Sequence, residues 1–182
     1  MQNTYIRAMN EAQLENLLGA CALALADAQT QALQRAGGVS SAGCTVLNAL
    51  AQYPGLTIRE LAAIAGLSHS VMVRTLDALV SAGLVSRQPG QDRREVQASL
   101  TSAGELQRGR LVAARTAVLT RALDAVPKTQ RYALQQALAA MLAVLTTGAQ
   151  QADHLCRFCD ESACGSSCPV AAEVEHLAAR EI

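Results

Sequence analysis

The chain has 182 residues, of which 51% are hydrophobic and only Tyr at 3 and Phe at 1 are aromatic, and its formal net charge is zero. That length allows one core-forming domain with an appendage. The polar start MQNTYIRAMNEAQ argues against a signal peptide, and no apolar run approaches bilayer-spanning length, so a cytoplasmic, non-membrane protein is expected. The neutral sum hides a split. Residues 1–152 carry 13 Lys+Arg against 9 Asp+Glu, whereas residues 153–182 carry 2 against 6. A mildly basic body thus bears an acidic tail. Lys128 is the one lysine among the basic residues. Arginine is the better residue for forked contacts to phosphates and bases, although a GC-rich genome produces the same bias.

The elements can be taken in chain order. Residues 10–36 predict a long helix with Leu14, Leu17, Leu18, Cys21, Leu25 and Leu33 on one face, stopped by Gly37-Gly38. Ser40 or Ser41 caps a second helix running to about Tyr53, which Pro54-Gly55 ends. Thr57 and Glu60 form a capping box that opens a short third helix, TIRELAAIA. Gly66-Leu67 makes a turn. Ser68 caps a fourth helix to about Ala82, with Val71, Leu76, Leu79 and Val80 available for packing, and Gly83 ends it as a left-handed residue. The period then shifts to two. Residues 84–87 and 96–100 alternate as short strands around the polar loop QPGQDRRE, which makes a hairpin. A helix from about Ser102 to Ala125 follows. Pro127 opens a last long helix through about Gln150. A cysteine module occupies about 153–168, and Pro169 starts a short terminal helix.

Two short helices joined by a glycine turn and followed by a two-stranded ribbon form a winged helix-turn-helix. In that motif the second helix enters the major groove and its first residues reach base edges. Here those residues are Ser68, His69, Ser70, Met72 and Arg74. The hydroxyls and imidazole suit phosphates and bases, and Arg74 has the fork for guanine or phosphate. The hairpin tip, Asp92, Arg93 and Arg94, suits the minor groove, whose negative potential attracts arginine.

Four motifs in this region carry a resemblance. They are L-A-x-x-A-G-L-S at Leu61 to Ser68, L-x-x-L-x-x-x-G-L-V at Leu76 to Val85, D-R-R at Asp92 to Arg94 and L-T-x-x-G at Leu100 to Gly104. Together they resemble the multiple antibiotic resistance regulator (MarR) family of bacterial transcription factors over about residues 10–150. The resemblance implies a mainly α fold with a small two-stranded β-wing in a triangular homodimer. It implies double-stranded DNA with a palindromic operator as partner, and repression released by a ligand or oxidant. It says nothing about residues 153–182. The recognition helix has no basic residue beyond Arg74. Few aromatic residues (Tyr5, Tyr53, Tyr132) are available to line a pocket for a small aromatic effector.

Cys156, Cys159, Cys164 and Cys168 follow the pattern C-x2-C-x4-C-x3-C-P. In a reducing compartment, clustered cysteines point to metal or redox chemistry more than to structural disulfides. Four soft thiolates suit an iron–sulfur cluster or Zn²⁺. The C-P ending matches bacterial ferredoxin motifs, and the unequal intervals differ from paired zinc ribbons, so the cluster leads and zinc is the alternative. A metal-free thiol–disulfide switch is the third reading. Ser162, Ser166 and Ser167 are candidate hydrogen-bond donors to the sulfurs. With four cysteines present, His154 and His176 are not needed as ligands. Cys21 and Cys44 are expected to pack as small hydrophobes. No arrangement of residues argues for catalysis.

The expected organisation is a dimerisation helix over 1–38 and a winged helix-turn-helix over 39–101. Long helices completing the dimer region follow over 102–152, then a metal or iron–sulfur module over 153–182. The expected function is a DNA-binding transcriptional repressor that senses redox, iron or nitric-oxide status. The alternative is a structural zinc site with an organic effector.

Overall fold

A computed structural model describes residues 10–89 and 96–180. Helix α1 (Glu11–Gly37) starts where the Asn10 side chain accepts the Gln13 N–H at 2.8 Å, and stops at a left-handed Gly38. Helix α2 (Ser41–Gln52) is capped by Ser40, whose hydroxyl accepts the Gly43 N–H at 3.1 Å. Helix α3 (Ile58–Ala65) carries the expected capping box. The Glu60 carboxylate accepts the Thr57 N–H at 2.7 Å, and the Thr57 hydroxyl accepts the Glu60 N–H at 3.3 Å. Helix α4 (His69–Ser81) follows the turn at Gly66 and meets α3 at 105°, within the range of a helix-turn-helix pair. Strands β1 (Val85–Pro89) and β2 (Val96–Leu100) pair antiparallel, with Val85 opposite Leu100 and Gln88 opposite Gln97. Thr101 caps helix α5 (Ser102–Asp124), and its hydroxyl also donates to the Gly83 carbonyl at 2.7 Å, fastening the end of the hairpin to the end of α4.

The core sits where α2, α3 and α4 meet. Val46, Leu47, Leu61, Met72 and Leu76 are wholly buried there. Val85 and Ala98 close it from the strands, and Leu33 of α1 and Leu111 of α5 close it from the long helices. Phe158, from the cysteine segment, packs against its edge. On α4 the buried face is Met72, Leu76 and Leu79, whereas Val80 is exposed. Cys44 is buried as expected, but Cys21 is exposed on α1, because most of the apolar face of α1 has no partner within one chain.

The largest departure from expectation lies after α5. The single helix expected to run through about Gln150 is broken. A 3-10 turn (Lys128–Gln130) leads into α6 (Arg131–Leu145), and a separate α7 (Ala149–Cys156) begins after Gly148. Thr146 and Thr147 weaken the helix by β-branching. The Thr147 N–H leaves the ladder to donate to the Gln151 side chain at 2.7 Å. Gly148 adopts φ of 155°, which a residue with a side chain rarely reaches. The chain therefore turns back, and α7 packs on α3. A short α8 (Glu161–Cys164), a 3-10 turn (Gly165–Ser167) and α9 (Pro169–Arg180) complete the fold, with α9 packed on both α6 and α7. No single helix among the described residues is long and apolar enough to cross a membrane.

Candidate nucleic-acid interface and cysteine centre

The start of α4 presents Ser68, His69, Ser70 and Arg74 to solvent. Helix N-termini carry unpaired N–H groups and partial positive charge, which favour an anionic phosphate. Ser68 is partly committed. Its hydroxyl accepts the Val71 N–H at 3.4 Å and shares a hydrogen bond with the Ser70 hydroxyl at 3.2 Å. Met72 is a correction: with none of its surface exposed, it is a core residue and not a base contact. The fourth residue of this capped helix points inward here because the α4 stripe of Met72, Leu76 and Leu79 faces α2 and α3. Arg87 on β1 was not singled out from sequence. It pairs with Asp77 at 2.7 Å and also donates to the Val73 carbonyl at 3.5 Å, tying the wing to α4. That link joins a helix to a strand, and no local spacing announces it. Asp92, Arg93 and Arg94 lie outside the described residues.

Cys156, Cys159, Cys164 and Cys168 all line one cavity of about 360 Å³ between α7, α8 and α9. Each of the Cys156 and Cys164 thiols has the other thiols of the set as near neighbours. Burial first, then the neighbouring thiols, pushes Cys156 up to about 12. The same causes raise Cys164. Desolvation and neighbouring thiols disfavour a thiolate at Cys156 and Cys164, and a bound cation is the usual relief of such crowding. No group of three or more His, Cys, Asp or Glu among the described residues is arranged to hold a metal ion. The sulfurs border a common space without being closed around a point. Of the serine donors expected, Ser167 is used elsewhere: its hydroxyl donates to the Cys164 carbonyl at 3.0 Å.

The structure also reveals how the cysteine segment is seated. Asn48, in the middle of α2 and 4% exposed, donates to the Arg157 carbonyl at 3.1 Å and to the Cys159 carbonyl at 3.0 Å. Its side-chain oxygen accepts from Arg108 of α5 at 3.3 Å. One turn later, Gln52 accepts the Glu161 N–H at 3.0 Å, and the Tyr53 hydroxyl bonds the Glu161 carboxylate. Burial, then Glu161, raises the Tyr53 hydroxyl, and burial, then Glu161, raises Asp153. His154 Nδ1 lies 2.9 Å from the Ile64 carbonyl at the end of α3. Asn48, Gln52 and His154 were not picked out as a docking set from sequence. A buried amide inside the apolar run CTVLNALA was the one available signal, since such a group needs partners.

With this geometry in place, comparisons can be drawn. Residues 31–95 match the model of the MarR family. The YusO protein from Bacillus subtilis superposes with a TM-score of 0.64 at 22% identity, over 97% of that chain and 73% of this one. A MarR-family transcriptional regulator from Silicibacter pomeroyi superposes with a TM-score of 0.60 at 28% identity, over 98% of that chain and 78% of this one. CouR from Rhodococcus jostii RHA1, bound to p-coumaroyl-CoA, superposes with a TM-score of 0.54 at 25% identity, over 90% of that chain and 70% of this one. The neighbours are thus matched almost end to end, while a substantial part of this chain stays outside each match. No curated protein sequence matches the chain.

Proposed function

We propose that this chain is a transcriptional regulator of the MarR type and not an enzyme, a homodimeric repressor whose hold on DNA is set by a cysteine-bound iron–sulfur cluster. The observation that carries this reading is the convergence of all four clustered thiols on one cavity, in a segment hydrogen-bonded to α2 and α3. Cys156, Cys159, Cys164 and Cys168 hold the cluster. When bound, a cluster supplies sensitivity to oxidants, iron supply and nitric oxide. The chain's own contribution is the thiolate set, the partly buried cavity and the attachment to the DNA-binding helices.

On the DNA side, Ser68, His69, Ser70 and Arg74 contact the major groove, and Asp92, Arg93 and Arg94 contact the minor groove of a palindromic operator. Dimerisation uses the apolar residues that one chain leaves exposed on the long helices. Leu14, Leu17, Leu18 and Leu23 are open on α1, and Tyr132, Leu138, Met141 and Val144 on α6. Runs this extensive mark a partner surface.

Purification without oxygen, with metal analysis and visible absorption, tests the centre. Iron, sulfide and a brown or red protein are expected. Stoichiometric zinc without iron would replace the cluster by a structural metal and turn attention to an organic effector. For the interface, replacing both Arg93 and Arg94 by Ala is expected to weaken binding to all duplexes and reduce the salt slope by about 2. Unchanged affinity and slope would remove the wing from the contact set.

A further inference from the structure

We propose that Phe158 is a positioning residue for DNA recognition: it is a wedge at the junction of α1, α2 and α5, and its seating sets which half-site spacing the dimer accepts. The inference rests on the DNA-binding dimer reading above and holds whatever the four thiols bind.

Two units of the chain meet at this junction. Helices α1 and α5 pack along each other, and Arg115 of α5 ties them further by donating to the Gln29 side chain at 3.0 Å. Helix α2 opens the winged domain and rests on both. Phe158, the one phenylalanine of the chain, packs on the core edge at this point. With Leu33 of α1, Cys44 of α2, and Leu111 and Val112 of α5, it borders a residual gap of only about 20 Å³, room for about one water. The ring therefore fills the junction. On its outer side the Arg157 guanidinium carbon lies 5.2 Å from the ring centroid, within cation–π range.

The body is built to receive this ring. Asn48 is a buried amide in an apolar stretch of α2. Its Nδ2 donates to the carbonyls of Arg157 and Cys159, the residues on either side of Phe158. Its Oδ1 accepts from Arg108 of α5, so one side chain joins α2, α5 and the wedge. An amide nitrogen has two hydrogens. The segment 157–159 thus takes the whole donor capacity of a group that is costly to leave unpaired in a core.

In a dimer held by the long helices, each winged domain carries its recognition helix as a body. The tilt of α2 against α1 and α5 then sets the distance between the two recognition helices. Half-sites one turn apart demand a separation of about 34–36 Å. Removing the ring lets the walls of the junction approach by about one carbon contact distance, ~3.5 Å. One base pair occupies ~3.4 Å of duplex axis. The wedge is therefore of the size that separates one half-site spacing from the next.

The experiment uses full-length protein and a duplex selected from a random pool by the wild type. Affinity is measured on that duplex, on versions with the half-sites moved together or apart by one base pair, and on a single half-site. The wild type is expected to show a sharp optimum. In Phe158→Ala the preference for that spacing over its neighbours is expected to fall by about tenfold, with single half-site affinity unchanged. Phe158→Leu is expected to restore most of the profile. Asn48→Asp keeps the volume but cannot donate to the two carbonyls. It is expected to broaden the profile in the same way, and it carries the test if Phe158→Ala does not fold. A folded Phe158→Ala protein with the wild-type profile overturns the wedge. So does an equal loss at every spacing and at the single half-site, which is the mark of a ring that only stabilises the fold. Wild-type protein that enriches no duplex from the pool overturns the DNA-binding reading itself.

Discussion

The two ends of this chain are built on different principles. Between Leu33 and Leu111 nearly every buried apolar residue belongs to one core, and α1 to α5 each begin with a side-chain cap. From residue 149 onward the described buried residues are Ala152 and Val170; α7 and α9 are held mainly by neighbouring helices, with His154 of α7 bonded to Ile64, and the segment between them is held by hydrogen bonds to Asn48 and Gln52. The first region has enough core to specify itself. The second does not, and segments of that kind commonly depend on a metal or crosslink for order. The difference teaches that the two regions are specified by different means: a winged domain with its own core carries an appended module whose order, on the proposed reading, depends on what its four thiols bind.

The comparison can be broken most directly at the thiols. Replacing Cys164 by Ser is expected to remove bound metal and visible absorption altogether and to open 153–180 to limited proteolysis, while the thermal unfolding of the winged domain stays put. Cys21→Ser and Cys44→Ser are expected to do neither. For Cys44, burial pushes the thiol up to about 11, so it should also resist alkylation in the folded protein. Equal metal content in Cys164→Ser and wild type would mean that the four thiols do not act as one set.

Leu61→Ala addresses the other side. This wholly buried residue joins α3 to the core, and its truncation is expected to cost about 2–5 kcal/mol. Denaturant unfolding measures it, and a loss under 1 kcal/mol would show the core to be less tightly specified than described. Arg74→Ala is expected to weaken operator binding by about 1–3 kcal/mol without changing metal content. Titration of labelled duplex checks it, and coupled loss of metal would contradict the separation of reader and module.

The smallest effect concerns the α3 cap. Thr57→Ala is expected to destabilise the winged domain by about 1 kcal/mol. The Thr57 backbone N–H, followed by its hydroxyl, holds the Glu60 carboxyl below its usual range. A lowered carboxylate stabilises the fold above its unfolded value of about 4.3 and loses that contribution as pH falls through the folded value. The stability gap between wild type and Glu60→Ala should therefore be full at about pH 6 and close on approach to about pH 3. A gap independent of pH would assign Glu60 a purely steric role.

Most of the winged helix-turn-helix was legible because each boundary rests on local chemistry. The Thr57–Glu60 box, the Ser68 cap and the left-handed Gly66 and Gly83 are all readable from residue type and spacing. Met72 was misread because a motif position was taken for a groove contact, although its spacing of four from Leu76 marks the inward stripe. The break at Thr146 to Gly148 was missed because the apolar pattern of 131–145 continues into helix-compatible residues. The seating of the cysteine segment was not legible at all. Its bonds join residues about 90 to 111 positions apart, such as His154 with Ile64 and Asn48 with Cys159, and no local pattern encodes such a pairing.

The central claim is that DNA affinity follows the state of the four-thiol centre. Operator affinity measured on one anaerobic preparation, before and after chelation of its metal, tests this most directly. The account predicts a change of about 5–150-fold, the usual size of coupling between two sites, reversed when the centre is rebuilt. Identical affinities in the two states, with metal removal verified, would contradict it.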